Sequence, residues 1–367
     1  MLIFLEGLPG AGKSTNSGLL YRQFERSGKS TRWIHEMLRL HPVLFFNEAC
    51  LSKEEYEQWC NKYDIARGID KIAQKRDNYV GIDLLEVEWH YQELFSKEAF
   101  QALKQKDVWN FSLCDYKKVA LEKWRAFAKE AAKQPEKVFI LDSCIFQYQV
   151  FSFQLVDAPQ EELFAFVGEL WDIVGSLNPK LVYLYRESVE NQIEHLKKVR
   201  GEIFFRLMWE RDRHNPYYKD KPYGEEAYHQ FLREYDQIVR ELFKDTPCPK
   251  LSLEVTRGDW TQYQDSLLKF CNLEYHPEPH STFPLGEFRN KDLDLSLKIF
   301  GEPISGYKLV DPNGVSRRLY PRSDKEWYIE DYPVNLILND KNKNQIIIGG
   351  ENLTNRWTES NLVFDRF

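Results

Sequence analysis

Within its first 26 residues the chain runs from an apolar stretch, through a glycine-rich turn, into a helical pattern. Leu2–Glu6 reads as a short buried strand, and from Ser14 the spacing of Leu19, Leu20 and Phe24 predicts a helix to about Arg26. Between them Gly7-Leu8-Pro9-Gly10-Ala11-Gly12-Lys13-Ser14-Thr15 fits the spacing G-x-x-x-x-G-K-S/T. A chance match in a chain of this length is on the order of one in a hundred. A strand that turns on glycines straight into a helix N-terminus belongs in an α/β sheet, at the carboxyl edge of its strands.

The rest of the first 273 residues agrees. Apolar strand-sized runs recur at Thr31–Met37, Lys137–Asp142, Leu181–Tyr185 and Lys250–Val255, separated by helical segments at Glu161–Ser176, Glu187–Val199, Gly224–Lys244 and Trp260–Asn272. Alternation of this kind predicts a mostly parallel sheet with helices on both faces. Residues 41–134 are rich in helix formers and aromatics and read as a helical insert. His276–Pro284 carries three prolines in nine residues, which predicts a linker over 274–284. Short strands and frequent turn signals then predict a β-rich domain over 285–367.

With 43% hydrophobic residues the chain of 367 can bury a sizeable core. Its net charge of −7 argues against a general nucleic-acid backbone binder. None of its six cysteines forms a C-x-x-C pair, so free thiols in a reducing compartment are expected. The N-terminus has no secretory pattern and no apolar run approaches a membrane span, so the expected location is cytoplasmic.

In the loop, glycines let backbone N–H groups point inward at phosphate oxygens, and the helix N-terminus adds a favourable dipole. Gly7 through Thr15 would form that cradle. Lys13 would reach the β- and γ-phosphates of a nucleotide, and the Ser14 hydroxyl would hold Mg²⁺. A carboxylate is expected at the end of a neighbouring strand. Asp142, ending the strongest apolar strand, is the candidate for the metal or for activating an acceptor; a helix cap is its plainer role. Glu6 could orient the loop, activate an acceptor or form a structural ion pair. Residues 197–213 hold six basic and three acidic groups around Gly201, the pattern of a mobile basic lid (about 197–223) or of a solvated helix face.

These features resemble the nucleoside-monophosphate kinase group of phosphate-loop (Walker A) proteins, thymidylate kinases in particular. The likeness rests on F-L-E-G-x-x-G-x-G-K-S-T (Phe4–Thr15), on Asn178–Glu202, which looks like that family's fourth strand and the helix leading into its lid, and on V-T-R-G-D-W (Val255–Trp260). It implies an ATP- and Mg²⁺-dependent phosphotransferase acting on a small acceptor such as a nucleotide, a sugar or an antibiotic. It also implies catalytic or charge-neutralising roles for Lys13, Asp142, Arg200 and Arg206, acceptor contact by Glu36, metal binding by Ser14 and Asp142, and an adenine site near Thr256 and Arg257. The sequence departs from the family after the third strand, where Asp142 is followed by Ser143 and Cys144 rather than arginine. It departs again after the second strand, where His35–Pro42 replaces an R-E-P-G-G-T-like segment. A reading from another class is a nucleotide-binding regulatory ATPase whose C-terminal β-domain binds a partner. The sequence leaves oligomeric state open, a homodimer included.

Overall fold

The computed structural model describes residues 1–303 and 305–367. In chain order its first unit contains β1 (Leu2–Gly7), α1 (Lys13–Arg26), β2 (Thr31–Ile34), β3 (Glu48–Ser52), α2 (Lys53–Tyr63), α3 (Ala66–Ile69), β4 (Ala73–Lys75), β5 (Tyr79–Asp83), α4 (Leu84–His90), α5 (Lys97–Lys104), α6 (Leu113–Ala132) and β6 (Val138–Asp142). It continues through α7 (Gln147–Leu155), α8 (Gln160–Val174), β7 (Pro179–Tyr185), α9 (Val189–Arg200), α10 (Ile203–Asp212), α11 (Glu225–Asp245), β8 (Lys250–Glu254) and α12 (Trp260–Phe270).

Five strands form one parallel sheet in the order β2-β6-β1-β7-β8. Alternation along β1 assigns its two faces. Ile3 and Leu5 pack with Leu20 and Phe24 of α1 and Leu267 of α12. Leu2 and Phe4 face the larger core, where Trp124 of α6, Trp171 of α8 and Tyr235 of α11 are buried. Leu5 pairs with Asp142, Gly7 with Leu184 and Ile34 with Leu141, so the loops that follow β1, β2, β6 and β7 emerge together at one edge.

The insert differs from the expectation. Residues 41–134 are not helical throughout: β3, β5 and β4 form a three-stranded antiparallel sheet with its own core of Leu51, Trp59, Ile82, Val87 and Leu103. These strands are three to five residues long and sit among helix formers, so no period-2 run marks them. The β2 strand also ends sooner than expected, at Ile34 rather than Met37.

The C-terminal part is a closed antiparallel barrel of β9 (Gly286–Asn290), β10 (Leu295–Glu302), β11 (Gly306–Val310), β12 (Ser316–Pro321), β13 (Glu326–Ile329), β14 (Val334–Leu338), β15 (Gln345–Gly350) and β16 (Val363–Arg366). Each strand pairs with the next, and β16 closes onto β9. Closure removes the free edges that an open sheet of this length would expose. Phe288, Leu297, Leu309, Trp327, Leu336 and Ile348 fill the interior. Phe283 stacks edge-on against Trp327 at 4.2 Å, so the segment before the barrel is itself part of the packing.

The barrel docks on α1 and on the segment after β2. Glu25 of α1 accepts from Arg322 (3.0 Å) and from the Tyr328 hydroxyl (2.6 Å), and the guanidinium of Arg22 lies 3.7 Å from the centre of the Tyr320 ring. Beside β2, the Arg39 amide donates to the Asn352 carbonyl and the Thr354 amide to that of Met37. The buried Arg39 guanidinium pairs with Asp83, Glu86 and, from the barrel, Glu359. All six cysteines are free thiols. No helix among the described residues is long and apolar enough to cross a membrane.

Candidate functional site

The site is built at the carboxyl edge of the parallel sheet, where β1 runs out into the glycine-rich loop. Gly7, Gly10 and Gly12 have positive φ, and each is closely approached. A Cβ on Gly7 would sit 2.3 Å from the Leu184 carbonyl oxygen of β7; one on Gly12 would meet the Trp260 ring at 2.7 Å. The loop is therefore sterically possible only with glycine at these points. Its one internal turn bond runs from the Ala11 amide to the Leu8 carbonyl, at 3.1 Å. The amides of Leu8, Gly10 and Gly12 have no protein acceptor among the described residues. Three free amides in one loop beside a helix N-terminus can receive an anion.

Lys13 opens α1, and its buried side chain folds back over the loop. Its Nζ donates to the carbonyls of Gly7 (2.9 Å) and Leu8 (3.1 Å). Burial pulls the Lys13 ammonium below its ordinary range, and the charges of Glu36, Glu6 and Asp142 work against that pull. A lysine so placed is a cation held at the mouth of a ring of free amides.

Three carboxylates surround it. Glu6 is the last residue but one of β1 and is fully buried on the face toward α7. Its oxygens accept the amides of Ile145 (2.7 Å) and Gln147 (3.0 Å). Burial pushes its carboxyl up to about 7, while those amides and Lys13 pull the other way. Asp142 ends β6, equally buried, and its Oδ1 accepts the Glu36 amide at 2.8 Å. That bond lies just beyond Ile34, where β2 ends. Burial raises the Asp142 carboxyl, against the charges of His35 and Lys13. Glu36 is half-buried and accepts from the Gln147 side chain at 3.1 Å. Burial raises its carboxyl too, but Lys13 and His35 outweigh it, leaving Glu36 below its usual range and ionised.

Of the residues singled out from sequence, Gly7 through Ser14, Glu6, Glu36 and Asp142 come together here. Among the described residues the Ser14 hydroxyl has no hydrogen-bond partner, whereas the Thr15 hydroxyl donates to Asp331 of the barrel at 2.7 Å. Arg200 is the last residue of α9 and is exposed; its charge is felt at Lys13. The same helix braces the loop, because the Gln192 side chain donates to the Pro9 carbonyl at 2.5 Å.

Arg206 is not brought to the site. It lies on the outer face of α10, 61% exposed and 3.9 Å from Glu210, while Phe205 and Trp209 carry the buried face. The expected basic lid is thus the end of α9, Gly201 at φ 81° and the helix α10, with Arg211 turned onto Asp212 at 2.6 Å. Thr256 and Arg257 lie in the segment that follows β8. The Thr256 hydroxyl accepts the Glu187 amide, and Arg257 is exposed. From that segment Trp260 reaches the loop instead, against Gly12. Sequence reasoning missed the roles of Trp260, Gln192 and Asp331. Trp260 falls within a segment already singled out, but Asp331 lies 316 positions from its partner and carries no local signal.

No family model matches the chain, and no curated protein matches it. Among solved structures, the YorR protein of Bacillus subtilis, in complex with phosphorylated GDP, is similar at 11% identity and a TM-score of 0.35, over 74% of this chain and 96% of that one.

Proposed function

We propose that the chain is an ATP- and Mg²⁺-dependent phosphotransferase that passes the γ-phosphoryl group to a hydroxyl or phosphate oxygen of a small acceptor. The observation that carries this reading is the loop itself: three amides unpaired among the described residues, beside the buried ammonium of Lys13, at a helix N-terminus, near Asp142 and Glu36. The amides and Lys13 would hold the β- and γ-phosphates, and Lys13 would exchange its two carbonyl contacts for phosphate oxygens.

The residues present suit a divalent cation. Among the described residues the Ser14 hydroxyl is uncommitted and Asp142 Oδ2 has only a 3.4 Å contact with the Trp33 indole, leaving lone pairs on a buried carboxyl that burial raises. Ser14 and Asp142 would hold Mg²⁺, which when bound neutralises phosphate charge. Glu36, ionised beside Lys13, is placed to accept a hydrogen bond from the incoming hydroxyl. Arg200 supplies charge from the end of α9 as negative charge builds on the transferring group.

ATP consumption measured with Mg²⁺ against a panel of nucleosides, nucleoside monophosphates, sugars and aminoglycosides tests the reading. A phosphotransferase shows strong stimulation by at least one class and forms the phosphorylated acceptor. Turnover that is the same with and without every acceptor fits a regulatory ATPase instead.

A further inference from the structure

The α1 helix carries the loop at its N-terminus and lies along the barrel for its whole length. Thr15, Arg22 and Arg26 fall on one helical face and meet, in order, Asp331, Tyr320 and the Pro321 carbonyl. The contact nearest the loop is also the shortest of these: Thr15, the third residue of α1, donates its hydroxyl proton to Asp331 at 2.7 Å.

Asp331 sits in the turn between β13 and β14 with φ 64°, a left-handed conformation that aspartate tolerates better than most residues. The turn is braced from within the barrel. Arg317 lies between Asp311 (3.2 Å) and Asp331 (3.7 Å) and also donates to the Tyr332 hydroxyl at 3.0 Å. The Asn355 side chain donates to the same hydroxyl at 3.0 Å. The Tyr332 ring meets His35 edge-on, 5.5 Å between centres, next to Glu36. One barrel turn therefore touches both the first turn of α1, at Thr15, and His35 after β2.

We propose that the barrel turn 330–333 is part of the nucleotide site, with Asp331 as a positioning residue that latches the first turn of α1 through Thr15. The proposal rests on the nucleotide-binding reading of the loop. A threonine hydroxyl has one proton, and here it is committed to Asp331, so phosphate recognition at this position falls to the backbone. The latch holds the helix end whose amides and Lys13 face the phosphates. In this account the barrel sets the geometry of the phosphate site in cis.

The test uses the full chain. Asp331→Gly removes the carboxylate while keeping the backbone free to adopt its positive φ; Asp331→Asn keeps an acceptor oxygen and tolerates the same φ. Arg322→Ala cuts a barrel contact at the far end of α1. Two readouts are taken: amide hydrogen exchange over residues 8–16 without ligand, and affinity for a Mg²⁺-bound non-hydrolysable ATP analogue. Asp331→Gly is expected to speed exchange and weaken binding by about tenfold or more, the scale of one charge-assisted hydrogen bond. Asp331→Asn restores most of both, and Arg322→Ala leaves both unchanged. Wild-type exchange and affinity in Asp331→Gly, or the same losses in Arg322→Ala, overturn the proposal. If Asp331→Gly speeds loop exchange while the wild type binds no nucleotide, the latch stands and the nucleotide reading falls.

Discussion

Glu6 offers a stability test that needs no ligand. Its carboxyl is wholly buried at the end of β1, and burial moves it from 4.5 to about 7. Between those two values the folded protein binds more protons at this site than the unfolded chain does. The contribution of Glu6 to stability is fully present below about 4.5 and is lost as pH rises through 7. At about 1.4 kcal/mol per pH unit the loss is about 3 kcal/mol. Glu6→Gln removes the titration while leaving one acceptor for the amides of Ile145 and Gln147. The variant should therefore gain about 3 kcal/mol on the wild type between pH 4.5 and 8, whatever its fixed offset from the unpaired amide. Asp142, also raised by burial, titrates in both proteins and cancels in the difference. Urea unfolding of both proteins across that range measures it. Parallel stability profiles would refute the reasoning, because they would mean that Glu6 ionises alike in folded and unfolded chains.

Other expectations follow from the packing. Gly7→Ala should cost about 3 kcal/mol or more in thermal or urea unfolding, since the new methyl would lie 2.3 Å from a backbone oxygen of a central strand; a near-neutral variant would mean that the loop is looser than described. Arg200→Ala should cut phosphoryl transfer by about 10³-fold with little change in ATP binding, whereas Arg206→Ala should leave both within error and stability within about 0.5 kcal/mol; equal effects would contradict their different placement. A chain ending at Leu273 should aggregate or unfold early in a thermal melt, because it exposes the barrel-facing side of α1 and strips Glu359 from the buried Arg39; a cooperative melt like that of the full chain would show that the barrel is dispensable for the fold.

The parallel sheet was legible because its signals are local. Glycine spacing, short continuous apolar runs and helix breakers lie within a few residues of the structures they specify, so Gly7–Ser14 and the apolar run ending at Asp142 read correctly as a loop and a strand end. The insert sheet was not legible, since Ala73–Lys75 has no apolar face and Glu48–Ser52 is flanked by helix formers. The outward placement of Arg206 could have been read from sequence. Phe205, Trp209 and Asp212 recur at helical spacing and define the buried face of α10, which leaves Arg206 outside. Turn signals at Asp311–Gly314 and Gly349-Gly350 marked strands near the C-terminus, but neither closure of the barrel nor its docking on α1 has a local signature. Asp331 and Thr15 meet only because two separate units pack together, and a contact of that span follows from tertiary structure alone.

The central claim is that the glycine-rich loop and Lys13 form a nucleotide phosphate site. Calorimetric titration of the full chain with a non-hydrolysable ATP analogue and Mg²⁺ tests it most directly. The account predicts one equivalent bound by the wild type and affinity at least tenfold weaker in Lys13→Ala, the scale of one lost hydrogen bond to a charged group. No heat of binding in the folded wild type, or equal affinity in Lys13→Ala, would contradict it.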